Sequence, residues 1–440
     1  MSVSRRGFVR AASASVLSIS AAKVHGAAVP SSKVNVGIIG PGGMGMQHIR
    51  NLAPRDDVSI TSVCDVDTHR RNSAADYVKQ ATGVEPKKTG DLREVFADDQ
   101  IDAVFIATPD HWHGPAAIMA LDAGKHVYVE KPCCHNLAEG RAMAEAVQRS
   151  GKILQVGTQS RSTDCVKEAI GRVHRGELGD VLVAKAWNSQ RRGSIGRSEP
   201  SMAPEHLDYE MWLGPAPKFD YRSNLLHGVW RWWYPFGCGD IGNDGVHDID
   251  VAVWGLGVTR PPERVTCMGG QYFFDDDQQF PDTQYAVCEY PADAKGRRKQ
   301  LIFEQRIWTP YTQEGYENGG AFYGTEGYLI IGHTVGWKQF KPNGAVVAER
   351  TGRADLQAHH TDFIECVQGK RPRTAADIQA GVDSASIVHL ANIAARTQTV
   401  VEYNHERGEV TNNTAANALV KRKYHPGHWA IPSGLELSGE

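Results

Sequence analysis

The sequence predicts an α/β protein in two parts: a doubly wound parallel sheet first, then an α+β region with an open, mostly antiparallel sheet. Three observations carry this expectation. Residues 34–39 form an apolar, β-branched run that ends in Gly40-Pro41-Gly42-Gly43-Met44-Gly45. From there to about residue 155, strand-length apolar runs alternate with helix-length segments, the pattern of parallel strands joined by helices. Beyond that point the apolar runs are separated by turns, as in antiparallel sheets.

Taken in order, the run at 34–39 reads as a buried parallel strand. The spacing Gly-x-Gly-x-x-Gly falls on Gly40, Gly42 and Gly45. The first glycine allows a tight turn, the second lets backbone approach a pyrophosphate, and the third lets the next helix pack closely. That helix, over 44–52, would aim the amides around Gly43 and Met44 at the phosphates. A second strand over 58–64 ends in Asp65, twenty residues after Gly45. A carboxylate there suits ribose hydroxyls and repels a 2′-phosphate, which favours NAD over NADP, although Arg70 and Arg71 lie close by. The alternative role for Asp65 is a helix cap. Helices follow at 68–80 and 91–97, then a strand at 103–107 running into Thr108-Pro109-Asp110-His111-Trp112-His113. A helix over 115–122 stops at Gly124, and a strand at 127–129 leads into Glu130-Lys131-Pro132. A lysine followed by proline at the carboxyl end of such a strand is pinned near the ligand crevice. This first part, 33–155, therefore reads as a Rossmann-type dinucleotide-binding domain.

These motifs resemble the glucose–fructose oxidoreductase and inositol dehydrogenase family of two-domain nicotinamide enzymes. The resemblance spans residues 33 to about 405. It rests on Gly40–Gly45, Thr108-Pro109 with His113, Glu130-Lys131-Pro132 and a later Gly-Val-His-Asp-Ile-Asp. It implies that Thr108, Pro109, His113, Glu130 and Lys131 lie on the cofactor side. It also implies that Lys131 stands beside the nicotinamide and handles the proton of the hydroxyl being oxidised.

The second part, 156–404, is expected to hold substrate. After a helix at 138–150 and a strand at 153–156, strands are expected at 181–187, 265–267, 285–290, 300–306 and 328–331. Val246, Ile249 and Val253 share one helical face, so a helix starts near Asp244. Asn243, His247 and Asp250 then project together near its start, and His247 can act as general base toward a sugar hydroxyl. The resembling family commonly carries aspartate four residues before this histidine. Here that position is Asn243, so Asp244 becomes the candidate for the relay. Tyr209, Trp212, His227, Trp230, Arg231, Trp232, Trp233 and Tyr234 make a polar–aromatic stretch whose rings can stack on sugar faces or fill core. Gln159 and Arg161 are placed to reach the crevice. Residues 405–440 are polar and turn-rich and are expected to wrap the surface.

The N-terminus adds a location. Ser4-Arg5-Arg6-Gly7-Phe8-Val9 with Arg10, a mild apolar stretch over 11–22 and small residues at Gly26, Ala27 and Ala28 read as a twin-arginine signal over 1–28. The stretch is too short for a stable membrane span. A partner translocase and a periplasmic or exported enzyme, folded with its cofactor aboard, are the expectations. In the whole 440-residue chain, 41% of residues are hydrophobic and 22% charged, ordinary values for a globular protein. Removing the leader would take four cations and no acid, changing the net charge from −3 to −7, which argues against a nucleic-acid surface. The eight cysteines show no metal-ligand spacing and most read as buried free thiols, and no His/Cys/Asp cluster reads as a metal site.

The function that follows is oxidation of a CH–OH group in a sugar, sugar derivative or polyol by an enzyme with tightly bound NAD. The alternative is an NAD-dependent glycoside hydrolase that oxidises transiently and eliminates. A homo-oligomer, dimer or tetramer, is expected from the resemblance.

Overall fold

The computed structural model describes residues 33–293 and 295–435; the twin-arginine segment lies outside them. The first sheet is built from β1 (Val34–Ile39), α1 (Gly43–Leu52), β2 (Val58–Cys64), α2 (Thr68–Thr82), β3 (Lys87–Thr89), α3 (Leu92–Phe96), β4 (Ala103–Ile106), α4 (Asp110–Asp122), β5 (His126–Val129), α5 (Leu137–Ser150) and β6 (Leu154–Val156). Its six strands run in the order β3-β2-β1-β4-β5-β6, and every pairing is parallel. Strands buried on both faces must be apolar throughout, and β4 is buried at all four positions. The order reverses between β1 and β4, so the crevice at the carboxyl ends of these strands is where an open α/β sheet binds ligand.

Helix α4 begins at Asp110, five residues earlier than expected, and so contains Pro115. Proline removes the amide that would bond to the carbonyl four residues back. Arg422 NH2 supplies that carbonyl, His111 O, with a donor at 2.7 Å. The expected surface tail is therefore partly built in. Arg422 pairs with the buried Glu139 at 2.7 Å, Tyr424 donates to the same carboxylate at 2.8 Å, and Ala430 joins the core.

The second sheet follows α6 (Asp164–His174). Its parts are β7 (Val181–Asn188), α7 (Tyr209–Leu213), α8 (Val246–Leu256), β8 (Arg264–Gly270), β9 (Thr283–Glu289), β10 (Gln300–Arg306), β11 (Asn318–Gly324), β12 (Tyr328–Gly332), β13 (Gly336–Phe340), β14 (Val346–Thr351), α9 (Leu356–Val367), α10 (Ile378–Thr397), β15 (Val401–Asn404), β16 (Glu409–Val410) and α11 (Thr414–Ala418). The order is β14-β13-β12-β11-β7-β10-β9-β8-β15-β16, antiparallel except for β7–β10. Sequence patterning missed β11, whose Asn-Gly-Gly start carries little strand propensity. Packing of α8 against β7 and β11 covers one sheet face, with Val246, Ile249 and Val253 in the core as their spacing predicts. Helices α9 and α10 return to the first sheet: Phe363 and Ile364 pack with Val36 and Phe105, and Val382 packs with Val156. All eight cysteines are free, and seven are buried. Among the described residues no helix is long and apolar enough to cross a membrane.

Candidate active site

The carboxyl ends of β1, β2, β4 and β5 open onto a cavity of about 360 Å³. Gly40, Gly42, Gly43, Met44, Asp65, Thr108, Pro109, His113, Glu130 and Lys131 wall it on the first-sheet side; Met211, Trp212, His227, Trp230, Arg231 and Asn243 wall it opposite. The glycine turn is shaped by close approach. Gly40 has φ +79°, and a Cβ there would meet the Ala107 carbonyl at 2.8 Å; a side chain at Gly45 would overlap the Gly40 oxygen. Space opens instead over Gly43, where an added Cβ meets nothing within 4 Å. The Thr108 hydroxyl, on the cavity wall, is buried without a hydrogen-bond partner. A glycine cradle at a helix start beside an unsatisfied hydroxyl fits a dinucleotide phosphate.

Asp65 stands on the same wall, where burial pushes its carboxyl up to about 6. It is not the cap of α2; Asp67 is, accepting from His69 N at 2.8 Å and Arg70 N at 3.2 Å. Arg70 also lines the cavity, so a carboxylate and a guanidinium share its wall near the end of β2. His113 braces rather than reaches out. Its ring nitrogens lie 2.7 Å from Pro132 O and 2.9 Å from Thr108 O, tying the end of β4 to the end of β5.

Glu130 is buried and held from behind. His48 Nε2 lies 3.1 Å from Oε1, Gln159 Nε2 donates to the same oxygen at 3.1 Å, and His48 Nδ1 meets His360 Nε2 at 2.9 Å. Burial raises this carboxyl, but the His48 hydrogen bond and charge and the Lys131 ammonium outweigh it, so it sits below its ordinary value. Gln159, expected to meet substrate, is thus a support for Glu130. Lys131 projects into the cavity and donates from Nζ to Asn243 O.

On the opposite wall, Asn243 comes from a π-helical turn, Ile241–Gly245, that runs into α8. The wider turn is a common device at functional sites. Asn243 Oδ1 accepts from Arg231 Nε at 2.8 Å, and its Nδ2 donates to Asp240 at 3.0 Å. Asp240 is fully buried and also receives Asn188 Nδ2 at 2.7 Å and Arg192 Nε at 3.1 Å. Arg192 bridges onward to Asp244. Asp244 is therefore held by Arg192, and no hydrogen bond joins it to His247, contrary to the relay expected from the sequence.

His247 lies one turn after Asn243 and is not part of the cavity wall. Burial, then the Lys131 and His333 charges, keep its imidazole well below its ordinary value and so neutral; its Nδ1 is buried without a partner. Its ring sits 5.2 Å from that of His333. His333 goes the other way: burial lowers it, but Asp248, 3.1 Å from its Nδ1, raises it further. One imidazole is biased neutral and its neighbour charged.

Two further expectations are corrected. Arg161 does not reach the cavity; its Nε and NH2 clasp Asp250 at 2.8–3.0 Å, and Ser384 completes that carboxylate at 2.6 Å. Asp250 is thus engaged by Arg161 and Ser384, and no hydrogen bond joins it to Asn243 or His247 among the described residues. Tyr209 stacks on Trp212 at 5.7 Å and donates to Phe219 O, packing behind the wall that Trp230 and Arg231 form. Sequence reasoning also missed Asp110, a buried carboxyl on the wall that burial pushes up against the pull of His113, Lys131 and Arg231. Its position two residues after Thr108 was the available signal.

Two family descriptions match the chain: "Oxidoreductase family, NAD-binding Rossmann fold" over residues 34–158, and "Oxidoreductase family, C-terminal alpha/beta domain" over 183–299 and 321–431. The chain belongs to this family. Within it, a scyllo-inositol 2-dehydrogenase (NAD(+)) of Bacillus subtilis (strain 168) is 34% identical over 155 residues, 35% of this chain and 44% of the relative. A glycosyl hydrolase family 109 protein of Shewanella pealeana is 29% identical over 230 residues, 46% of this chain and 50% of the relative. The chain spans about half the length of the curated relatives it matches. Over 84% of its length it shares the fold of the aldose-aldose oxidoreductase from Caulobacter crescentus (99% of that chain), with TM-score 0.64 and 18% identity.

Proposed function

We propose that this oxidoreductase removes a hydride from a hydroxyl-bearing carbon of a sugar, sugar derivative or polyol, using NAD. The observation that carries the reading is Lys131: its ammonium sits in the same cavity as the glycine turn, anchored on Asn243 O. Gly40, Gly42, Gly43 and the Thr108 hydroxyl would hold the phosphates, with Asp65 toward the ribose in preference to NADP. When bound, the nicotinamide supplies the hydride acceptor.

The chain's own groups manage the rest. Lys131 Nζ can donate to the substrate oxygen and stabilise it as the O–H proton leaves. His247, kept neutral, stands one turn behind Asn243 and off the wall, so it would take up that proton through Lys131 rather than directly. Trp230 and Trp212 offer apolar faces to sugar C–H groups, and Arg231 offers donors to hydroxyls. Resemblance to inositol 2-dehydrogenases supports a polyol or sugar substrate.

The leader at residues 4–10 supports export through the twin-arginine translocase to the periplasm, which favours a cofactor that stays bound. An outer sheet face bearing exposed Met268, Tyr285, Val287 and Tyr323 supports a homo-oligomer. The test is mass analysis of the small molecule released on denaturation, followed by single-turnover absorbance near 340 nm with a panel of inositols and aldoses. Release of no dinucleotide, or no reduction with any member, overturns the reading. A second reading, glycoside hydrolysis through transient oxidation, is favoured by the likeness to the Shewanella hydrolase relative. Phenol release from an aryl glycoside without added NAD would select it.

A further inference from the structure

We propose that Asp67, His69 and His206 bind a divalent transition-metal ion of the zinc class, which fastens the long loop between β7 and α8 to the β2–α2 turn. One carboxylate oxygen and one ring nitrogen from each histidine lie within 4.8 Å of one another. Asp67 Oδ2 is 3.7 Å from His206 Nε2, and the His69 and His206 rings stack at 4.1 Å. Ligands bound tetrahedrally at ~2.0–2.1 Å stand about 3.3 Å apart. His69 is exposed and His206 half-buried, and rotation of the two imidazoles out of their stack is what would have to close the difference.

The carboxylate is already oriented. Its Oδ1 caps α2, leaving Oδ2 toward the histidines, and His227 Nε2 holds Oδ2 from another side at 2.9 Å. Such outer partners commonly orient metal-binding groups. By contrast, neither the His69 nor the His206 ring makes a hydrogen bond among the described residues. The two ligand-bearing segments are joined beforehand by backbone: Thr68 N donates to His206 O at 2.9 Å, Asp208 N donates to Val66 O at 3.1 Å, and Asp67 pairs with Leu207. The ion thus enters a scaffold that exists without it. Two imidazoles and one carboxylate, with water completing the shell, suit zinc and its neighbours over calcium or magnesium.

Both sides of this clip wall the cavity: Asp65, Val66 and Arg70 from the turn, and Met211, Trp212 and His227 from the loop. Bound metal therefore hinders loop opening and slows dinucleotide release. That consequence rests on the proposed cofactor reading, whereas the binding site itself does not.

The experiment uses the full chain, stripped with chelator and titrated with Zn²⁺ (elemental analysis) and Co²⁺ (visible absorption). One equivalent should bind, with the intensified bands of low-coordinate cobalt. His69→Ala and His206→Ala, near the surface and safe for folding, should each lower affinity at least tenfold. His227→Ala should cost on the order of 10–100-fold, as an outer partner does. Binding that is substoichiometric, or equal in His206→Ala and wild type, overturns the site. If metal binds as described but leaves the rate of NAD release unchanged in a preparation that does hold NAD, the fastening role is overturned. A preparation that holds no NAD leaves the metal titration intact and counts against the cofactor reading alone.

Discussion

The two walls of the cavity are built by different means. The first-sheet wall is mostly backbone: a glycine turn, strand ends and a helix start, contributed by short stretches of contiguous chain. The opposite wall is made of side chains. Two of them, Arg231 and Asn243, belong to a lattice with Asn188, Arg192, Asp240 and Asp244 behind the wall, whose hydrogen bonds cross up to 52 sequence positions. Backbone shape constrains residue type locally, because only glycine tolerates the φ and the close contacts at Gly40 and Gly45. A side-chain lattice constrains residues only through partners that folding brings near. One wall can therefore be read along the chain, and the other cannot.

The largest effect should come from the residue shared by both walls. Lys131→Ala should lower hydride transfer by about 10²–10⁴-fold, the usual contribution of an acid–base group. It should leave cofactor bound, since the cradle is intact, and stopped-flow absorbance near 340 nm on the pre-loaded protein would report both. Equal rates in variant and wild type would remove the lysine from the chemistry.

The next test separates lattice residues from residues that only resemble them in sequence. Arg161→Ala strands the buried Asp250, and breaking a buried pair typically costs 3–5 kcal/mol. Urea unfolding should show that loss. A variant of normal stability with weakened substrate binding would return Arg161 to the site.

Within the backbone wall, Gly45→Ala and Gly43→Ala should diverge. Overpacking against the Gly40 carbonyl costs about 1–3 kcal/mol, so Gly45→Ala should lower Tm. Gly43→Ala enters open space and should leave the apo Tm unchanged while weakening NAD binding, measured by fluorescence titration. If both behave alike, cradle and packing are not separable here.

The last effect is electrostatic and absent at neutral pH. Native His247 is held well below its ordinary value by burial, so below about pH 6.5 the unfolded chain takes up a proton that the native state refuses. That liability grows as pH falls, and His247→Gln lacks it. The stability difference between the two should move in favour of the variant by about 1.4 kcal/mol per pH unit below pH 6.5. A constant difference from pH 7.5 to 5 would mean that the native imidazole titrates freely.

Much of the cofactor wall was legible in the order of residues. The strand at 34–39, the glycine turn, Asp65 at the next strand end and the place of Lys131 at another all follow from periodicity and spacing; Gly40, Gly42, Asp65 and Lys131 reach one crevice because parallel strands share a carboxyl end. The start of α4 was misjudged, because Pro115 argues for a helix boundary until Arg422, 311 positions after His111, supplies the missing donor. Asp250 and Arg161 looked like site residues because helical spacing places Asp250 near His247. Spacing gives a face, whereas the clasp on Arg161 and Ser384 decides which way that face is used.

The sequence by itself determined the two sheet types, the glycine turn and the place of Lys131 at a strand end, because these depend on backbone sterics and hydrophobic period; the role expected of the lysine came from the family resemblance. Only the tertiary structure decided that Gln159 and His48 support Glu130, that Arg192 captures Asp244, and that His333 stands beside His247. It alone brought His206 to Asp67 and His69. Each of these depends on a distance of a few ångströms between residues far apart in the chain, and such distances are set by the packing of whole elements rather than by any local preference.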